Sequence, residues 1–391
     1  MNIIVRKARS AVKRARAPFI TARERKEKTP LYTSLHSNLD VNLHLRETAD
    51  WLCRAQDHGN DRGVSYGAAF GEGFLTSYPE TTGYIICTFL DFARHYRDET
   101  YRQRAIEMGE WEASIQMECG SPALYLGNPT PALFDAGMVL LGWASLYRET
   151  RSETFGRAGE RAARWMTSLQ EPNGHWIKGN DHGYAHPTAT LYNVKAGWGL
   201  AEMGAALGET AFIDAAVRNA EYTLTRQLPN GWYEDCCLLD PSQPLLHTIA
   251  YTMQGLVGIG KLTGRRQFID AAAKTADSLI QLMDRDGYIP GKINRHFRGM
   301  ANWCCLTGTA QTSIVCSELA SFTGDPRYIE AAERANRYLM ARHDISNADP
   351  SIRGGLAGSW PVWGQYGRFH VLNWAAKFFA DALLLRMVPR P

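Results

Sequence analysis

One short pattern recurs along most of the chain and restricts the fold more than any other feature. An aromatic residue begins a helix-forming, alanine-containing stretch five times, at intervals of 54, 57, 56 and 60 residues. The five starting residues are Tyr101, Phe155, Phe212, Phe268 and Tyr328. Each stretch continues as an amphipathic helix, and residues 45–56 form a sixth copy without the leading aromatic residue. A period of this length is typical of repeat architectures, in which each unit buries its apolar face against its neighbours.

A second set of helices alternates with the first. These helices are rich in Gly, Ala and bulky apolar residues, as expected of helices that are buried on most sides. Their predicted starts are Glu80, Phe134, Tyr192, His247, Leu306 and Asn373. The alternation predicts an all-α fold, the (α/α)6 toroid of six helical hairpins, with the apolar helices as its inner ring. We assign residues 41–391 to a toroidal catalytic domain and residues 1–40 to a basic N-terminal extension.

The connections between the helices place the functional face at one end of the toroid. Connections from an inner to an outer helix are predicted to be tight, mostly five to seven residues long. Those from an outer to an inner helix have about 15 to 30 residues and hold most of the Gly, Pro, Trp and His. They span residues 57–80, 118–135, 171–193, 228–247, 284–306 and 344–373. Loops of this length are usually functional, and the adjacent helix N-termini suit carboxylate or phosphate groups.

The charge distribution argues against some classes of partner. Residues 1–28 hold ten Lys/Arg and two acidic residues, so the rest of the chain carries −5 within a total of +3. A mildly acidic body argues against nucleic acid, whereas the basic segment could contact an anionic membrane or remain a solvated tail. No apolar run suits a signal peptide or a membrane span. We therefore expect a cytoplasmic protein, peripheral to a membrane at most.

In its helical hairpins the chain resembles the six-hairpin toroid superfamily over about residues 40–388. That superfamily includes many glycoside hydrolases, some polysaccharide lyases, sugar epimerases and, in related toroids, terpene cyclases. The resemblance to its glycosidase branch implies a bacterial-type oligo- or polysaccharide in the central funnel, with acids at the starts of the inner helices. Elements at Gln170 and Gln227 look like the QxxxGxW element of terpene cyclases, but the cyclase acid motifs are absent. We interpret both elements as structural staples of the loops.

The loops contain side chains that suit a sugar ligand. Aromatic faces pack against the apolar C–H side of a pyranose, while short polar groups bind its hydroxyls. Large aromatics could instead only pack the loops onto the ring. The predicted substrate-binding residues are Tyr78, Trp176, Tyr192, Asn193, Lys195, Trp232, Asp235, Tyr251, Trp303, Trp360 and Trp363.

Two carboxylates are candidates for acid–base chemistry. Glu80 and Asp135 each fall in the first turn of neighbouring inner helices, so the pair could flank one glycosidic bond. The structural alternative for Glu80 is a capping box with Ser77 as N-cap, and Asp135 could be only a favourable first-turn acid. Asp181, Glu234 and Asp235 are reserve acids in other loops.

A histidine set supports a different reaction. His247 is the third predicted catalytic residue, and Tyr192, Lys195 and Tyr251 lie near the same end of the toroid. Such groups suit proton abstraction beside a uronate carboxylate, the step shared by lyases and C5-epimerases. The other histidines and the tyrosine of this set are His175, His182, His186 and Tyr184. A uronate lyase or epimerase is therefore the first alternative, and a noncatalytic glycan-binding or scaffold toroid is the second.

Two adjacent cysteine pairs suggest a metal only weakly. Cys236 with Cys237 and Cys304 with Cys305 precede consecutive inner helices, so their thiolates could converge on a tetrahedral zinc ion. No CxxC spacing is present, and buried thiols also behave as small apolar side chains. We predict no cofactor and no metal, with zinc at these four cysteines as the alternative.

Overall fold

The computed structural model describes residues 21–32, 37–180, 183 and 185–387, and within them the chain forms the predicted helical hairpins. A short helix, α1 (Ala22–Lys28), comes first. The outer helices are α2 (Val41–Asp57), α4 (Glu99–Ser114), α6 (Glu153–Ser168), α8 (Thr210–Thr225), α10 (Arg266–Leu282) and α12 (Pro326–Met340). The inner helices are α3 (Pro79–Tyr96), α5 (Leu133–Thr150), α7 (Val194–Leu207), α9 (Leu246–Thr263), α11 (Leu306–Thr323) and α13 (Asn373–Met387). Each inner helix packs on the next, and α13 packs on α3, which closes the ring and confirms the (α/α)6 toroid.

The turns from inner to outer helices are shorter than predicted. Two residues separate α3 from α4, and the same spacing recurs at the next four such turns. The inner helices continue to a left-handed residue, for example Arg97 with φ 53° or Gly264 with φ 69°. The following residue then begins the outer helix, as Asp98 does by accepting a hydrogen bond from the Thr100 backbone N–H. This cap-to-cap arrangement needs no spare residues, because one residue ends the first helix and the next caps the second.

Glycines allow the inner helices to approach closely. A Cβ atom on Gly142 would overlap the carbonyl oxygen of Gly83 on the neighbouring helix, and one on Gly199 would overlap that of Gly137. Side chains at these positions would therefore push the backbones apart and widen the ring. The glycine content that marks the inner helices in the sequence is a packing requirement of the closed ring.

The long connections at the N-terminal ends of the inner helices contain short antiparallel strands. They are β1 (Gly67–Ala69), β2 (Gly73–Phe74), β3 (Ala123–Tyr125), β4 (Asn128–Pro131), β5 (Cys304–Cys305), β6 (Ser359–Trp360) and β7 (His370–Leu372). β1 pairs with β7 with Ala68 opposite Val371, so the first and last of these loops are hydrogen-bonded together. The predicted long loops lie at one end of the toroid, which we call the mouth, and their strands are too short for a sequence pattern to show.

The segment before the toroid packs against the mouth. Tyr32 is 2% exposed, its ring stacks on Phe70 with centroids 5.5 Å apart, and its hydroxyl donates to the Arg342 carbonyl at 2.8 Å. Lys28 forms an ion pair of 3.0 Å with Glu72. We call residues 21–32 the N-terminal arm. Residues 1–20, which hold six of the basic residues proposed for membrane contact, lie outside the described residues. Among the described helices, none has the length and apolarity that crossing a bilayer requires.

Candidate active site

Glu80 occupies the first turn of α3 and does not close a capping box. The N-cap is Tyr78, without a side-chain cap, and the Ser77 hydroxyl donates to Asp61 at 2.7 Å instead. The Glu80 carboxylate accepts a hydrogen bond of 2.8 Å from the Tyr78 hydroxyl. The capping-box interpretation is therefore wrong, because Tyr78 begins the helix one residue later than Ser77 would. The Glu80 carboxylate is hydrogen-bonded to a side chain of the mouth and does not cap the N-terminus of the helix.

The environment of Glu80 brings the pKa of its carboxyl group close to neutral pH. The residue is 9% exposed. Burial raises the pKa of its carboxyl group from 4.5 to about 7, and the hydrogen bond from Tyr78 opposes this shift. A carboxyl group with this pKa is present in both protonation states near pH 7, which suits a general acid or base.

Asp135 lies in the first turn of α5 and is fully buried. Burial chiefly, and then the charges of Glu80 and Asp135, raise the pKa of Tyr251. At Tyr125 burial and then Tyr66 raise the pKa most, and the same two carboxylates contribute after them. The same two charges contribute at Tyr192 after burial and two nearby thiols. The structure therefore brings Glu80 and Asp135 to one set of tyrosines, as the two-carboxylate hypothesis requires.

A third carboxylate, which the sequence did not reveal, lies beside Asp135. Glu112 is on outer helix α4 and fully buried, and neither of its oxygens accepts a hydrogen bond from any residue that the structure describes. Burial, followed by the charges of Asp135 and Asp61, raises its pKa well above the ordinary value. Burial and the neighbouring carboxylates therefore favour the protonated form of Glu112. Its position on an outer helix, with no mouth-loop signal, explains why sequence patterns missed it.

Tyrosines and other aromatic residues form a continuous wall around Glu80. Tyr78 stacks on Tyr125 with centroids 5.6 Å apart, and Tyr66 meets Trp374 edge to face at 4.7 Å. Phe134 lies 4.9 Å from Tyr251 between ring centroids. The members of the wall are Tyr66, Tyr78, Tyr84, Tyr125, Phe134, Tyr192, Tyr251, Tyr366, Trp374 and Phe378. We call this set the aromatic wall.

The sequence analysis found only part of the aromatic wall, although a helical signal was present. Tyr84 follows Glu80 by four residues, as Tyr251 follows His247 and Phe378 follows Trp374. Residues four apart share a helix face, so each first-turn residue has an aromatic ring one turn below it. The Tyr84 and Tyr251 hydroxyl oxygens are 3.4 Å apart, which joins two inner helices across the funnel.

His247 is held in one neutral form. Its Nδ1 lies 2.7 Å from Oε1 of Gln311, whose Nε2 donates to Oε1 of Gln254 at 3.1 Å. Because an amide oxygen only accepts, Nδ1 carries the proton and Nε2 keeps its lone pair. Burial lowers the pKa of the imidazole to about 4, against the opposing effect of Gln311. The ring lies 4.2 Å from Tyr251 and 5.1 Å from Tyr366, so His247 belongs to the same site.

Lys195 lies in the first turn of α7 and in an aromatic environment. Its Nζ is 4.1 Å from the centre of the Trp198 ring and 6.0 Å from that of Phe378. Burial, and then the charge of Lys377, lower its pKa well below the ordinary value. Lys377 Nζ lies 5.4 Å from the centre of the Tyr84 ring and 4.7 Å from that of Phe378. Both lysines therefore contact rings of the aromatic wall, and a role for Lys195 towards a substrate carboxylate stays a prediction.

Several predicted substrate-binding residues hold the loops together. Trp176 is fully buried and donates from Nε1 to the Met166 carbonyl, while Trp232 packs edge to face on Phe297. Asn193 donates to Asn180 within its own loop. These contacts agree with the staple interpretation of the two glutamine-containing elements.

The reserve acid Asp235 is neutralised by a neighbour. Its carboxylate accepts from Arg226 at 2.6 Å, and Glu234 pairs with the same guanidinium at 3.2 Å.

His175 stacks on Tyr222 of an outer helix, with centroids 4.6 Å apart. His186 accepts from the Ala189 backbone N–H and so caps its own turn. Asp181, His182 and Tyr184 lie outside the described residues.

The three remaining tryptophans lie at the rim of the mouth. Trp303 lines an open cleft of about 680 Å³. Trp360 lies 6.3 Å from Tyr32 between ring centroids, and the Arg25 guanidinium covers the Trp363 ring at 4.2 Å. The N-terminal arm therefore contacts two of the aromatic residues that were predicted to bind sugar.

The paired cysteines have separate hydrogen-bonding partners. Cys236 lies 3.2 Å from the Thr252 hydroxyl, and Cys304 lies 3.2 Å from that of Thr309. Cys305 accepts from a backbone N–H of its own helix. Burial raises the pKa of Cys236 to about 12 and that of Cys304 to about 11, so both thiols are protonated at neutral pH. Within the described ranges, no group of three or more His, Cys, Asp or Glu side chains is arranged to hold a metal ion.

We expect purified protein to contain no stoichiometric zinc, since protonated thiols that are hydrogen-bonded to threonine hydroxyls are poor metal ligands. Elemental analysis after dialysis measures this directly, and a chelator should leave the melting temperature unchanged. About one zinc per chain, together with a lower melting temperature in chelator, would assign Cys236, Cys237, Cys304 and Cys305 as ligands.

Comparison with known proteins shows that solved structures share this fold. The sequence matches no protein-family model and no curated protein. An unsaturated glucuronyl hydrolase specific for heparin superposes with a TM-score of 0.70 at 16% identity, over 88% of this chain and 95% of that one. The unsaturated glucuronyl hydrolase of Bacillus sp. GL1 has a TM-score of 0.69 at 14% identity, over 89% and 97%. The fold is the (α/α)6 toroid. A cellobiose 2-epimerase from Bacillus thermoamylovorans shares it as well, with a TM-score of 0.68 at 12% identity, over 89% and 99%.

Proposed function

We propose that this toroid is a carbohydrate-active enzyme that hydrolyses a glycosidic bond, with Glu80 as its general acid. The observation that carries the proposal is the state of Glu80, a buried carboxyl group with a pKa of about 7 beside the aromatic wall. Glycosidases need a carboxylic acid that is still protonated near neutral pH, and burial is the usual means of providing it.

Asp135 would supply the second carboxylate of the mechanism. The first turns of neighbouring inner helices bring both acids to the same tyrosines, so a sugar on these rings would lie between them. Glu80 would protonate the leaving oxygen, while Asp135 would stabilise the positive charge that develops on the sugar ring or activate a water. Tyr66, Tyr125 and Trp374 would offer apolar faces to the sugar.

The solved toroids that superpose on this chain support a carbohydrate substrate. Two are hydrolases that are named for an unsaturated glucuronyl group, and the third is an epimerase that is named for cellobiose. The architecture that they share with this chain supports a saccharide in the funnel. The choice of reaction depends on the site residues.

His247 favours a second candidate function, a uronate lyase or a sugar epimerase. The Gln311 hydrogen bond leaves its Nε2 as a free base in the neutral ring, and Tyr251 lies against that ring. A neutral imidazole beside a tyrosine can abstract a proton from a carbon next to a carbonyl or carboxylate and return it. In a hydrolase the same group would bind a sugar hydroxyl.

The experiment is an assay of the full chain against a panel of neutral and acidic oligosaccharides, with products identified by mass spectrometry. Hydrolysis adds one water for each bond cleaved, and this is the result that we expect. An unsaturated product end would show elimination, and unchanged mass with uptake of solvent deuterium would show epimerisation. Either would move the catalytic assignment to His247. Binding without any product would leave the toroid as a glycan-binding protein.

A further inference from the structure

A hairpin lies in the fifth loop of the mouth, between Pro290 and Cys304. Its strands meet through bridges such as that of Ile293 with Gly299. Asn294 closes the tip, because its carboxamide oxygen accepts from the backbone N–H of Arg298 at 3.1 Å. We call residues 290–304 the basic hairpin.

Two contacts fix the tip of the basic hairpin on the neighbouring loop. The Phe297 ring packs on Trp232 at 90° with centroids 5.8 Å apart, and Asn230 donates to the Arg295 carbonyl at 2.9 Å. Side chains on the hairpin are therefore presented from a fixed backbone. A fixed presentation reduces the entropy that a bound ligand would otherwise have to remove.

The hairpin carries three cations in a stretch of sequence without acids, and in space the charge of Lys292 contributes, after hydrogen bonds from Ser242 and Gln243, to a lowered pKa of Asp240. Lys292, Arg295 and Arg298 fall in a stretch from Gly287 to Ser317 that contains no Asp or Glu. None of the three cations forms an ion pair with a residue in the described part of the chain. Other cations of the mouth are neutralised, as Arg226 is by two carboxylates, Arg62 by Glu110 at 3.2 Å and Lys178 by Glu171 at 3.8 Å.

The hairpin borders the open cleft of about 680 Å³, which lies between three mouth loops. Amide and lysine side chains line it beside Trp303, namely Gln243, Lys292, Asn302 and Gln365. This combination of a cation, amides and an indole matches the groups of a charged sugar, since amides bind hydroxyls and a cation binds an oxyanion.

The cleft adjoins the candidate active site through one side chain. Gln365 precedes Tyr366, whose ring lies 5.1 Å from His247 and whose hydroxyl accepts from Trp374 Nε1 at 2.8 Å. Trp374 lies 6.3 Å from Tyr78, the residue that binds Glu80. A saccharide of several units could therefore extend from the aromatic wall into the cleft.

We propose that the cleft beside the basic hairpin is an outer subsite for an oxyanion-bearing sugar unit, so that the substrate is an acidic oligosaccharide. The oxyanion is a carboxylate or a sulfate ester, which Lys292 in the lining of the cleft and Arg298, next to the lining residue Gly299, can bind. This inference rests on the proposed function only in calling the ligand a substrate, because binding in the cleft requires no turnover.

The test compares the binding of three tetrasaccharides to the full chain by calorimetry. The probes are tetragalacturonate, its carboxyl-reduced neutral counterpart and a sulfated galactan tetramer. We expect at least one charged probe to bind about tenfold or more tightly than the neutral one, with an advantage that shrinks as salt rises. The preferred charged probe distinguishes a carboxylate subsite from a sulfate subsite. In the double variant Lys292→Met, Arg298→Met, this advantage should disappear while the weak affinity for the neutral probe remains.

Arg62→Met is the matched control, because it removes a mouth cation that Glu110 already neutralises. The control should keep the full preference for the charged probe. Equal binding of all probes to the unaltered chain, no binding of either charged probe, or an undiminished preference in the double variant would each overturn the proposal. So would an equal loss in Arg62→Met. A charged probe that binds through the hairpin and is never hydrolysed would leave this inference standing and contradict the proposed function.

Discussion

Replacing Glu80 by glutamine should lower turnover by about 10²–10⁴-fold, the contribution that general acid catalysis typically makes. Glutamine has nearly the same shape and can still accept from the Tyr78 hydroxyl, so substrate affinity should change little. The unaltered enzyme should lose activity above about pH 7, where Glu80 becomes ionised and can no longer donate a proton. The measurement is kcat and kcat/KM against pH on the best saccharide of the panel.

The same substitution should stabilise the fold at neutral and alkaline pH. The Glu80 pKa rises from 4.5 in the unfolded chain to about 7 when buried, so the folded state holds more protons between these values. Stability therefore falls as pH rises through this window, and the full cost is present above pH 7. At 1.36 kcal/mol for each pKa unit, Glu80→Gln should recover about 3 kcal/mol at pH 8 and nothing below about pH 4. Denaturant unfolding at the two pH values measures this difference.

Glu234→Gln is the control for both experiments, because Glu234 is a mouth acid that Arg226 already neutralises. It should keep near-normal turnover and show no comparable gain in stability. Full activity in Glu80→Gln, on a saccharide that the unaltered enzyme hydrolyses, would remove Glu80 from the mechanism. Loss of both activity and folding would point instead to a structural role for the Tyr78–Glu80 hydrogen bond.

Asp135→Asn should also lower turnover by at least about 10²-fold, since a two-carboxylate mechanism fails without its second acid. Asn keeps the size of the side chain, which matters because Asp135 is fully buried. Thermal unfolding should show a folded protein, so that the loss can be attributed to chemistry. In a lyase or epimerase that depends on His247, the same variant should retain much of its activity.

Asp235→Asn is the matched control for Asp135→Asn. Asp235 lies at the mouth, but its carboxylate is already bound by Arg226 at 2.6 Å. Its substitution should change turnover by no more than a few-fold. An equal loss in both variants would show that the mouth responds to any removed charge, which would argue against Asp135 as a catalytic carboxylate.

The N-terminal arm lies closer to the site than the sequence indicated. Arg25 covers Trp363, and Tyr32 is buried between the mouth loops rather than in a free extension. The basic residues of the arm are thus partly used in contacts with the toroid. A pattern of Lys and Arg along the chain shows charge, but not whether a particular side chain meets a carboxylate or an aromatic ring on another loop.

The sequence by itself determined the toroid and the position of its mouth. Helical periodicity and a repeat of 54–60 residues are local properties, and each hairpin buries its apolar face against the next in the same way. The same local logic located Glu80, Asp135 and His247, because all three fall in first turns of inner helices. The spacing of four residues between Glu80 and Tyr84, and between His247 and Tyr251, is also present in the sequence.

Only the tertiary structure decided what each of these groups can do chemically. The raised pKa of Glu80 depends on burial by other helices, and the tautomer of His247 depends on Gln311, 64 residues away. The charge of Asp135 acts on Glu112 of an outer helix, and Lys195 lies over the Trp198 ring. Side-chain direction, desolvation and long-range hydrogen bonds arise when the ring closes, because they depend on which helix packs against which. A one-dimensional pattern contains the helices but not these contacts.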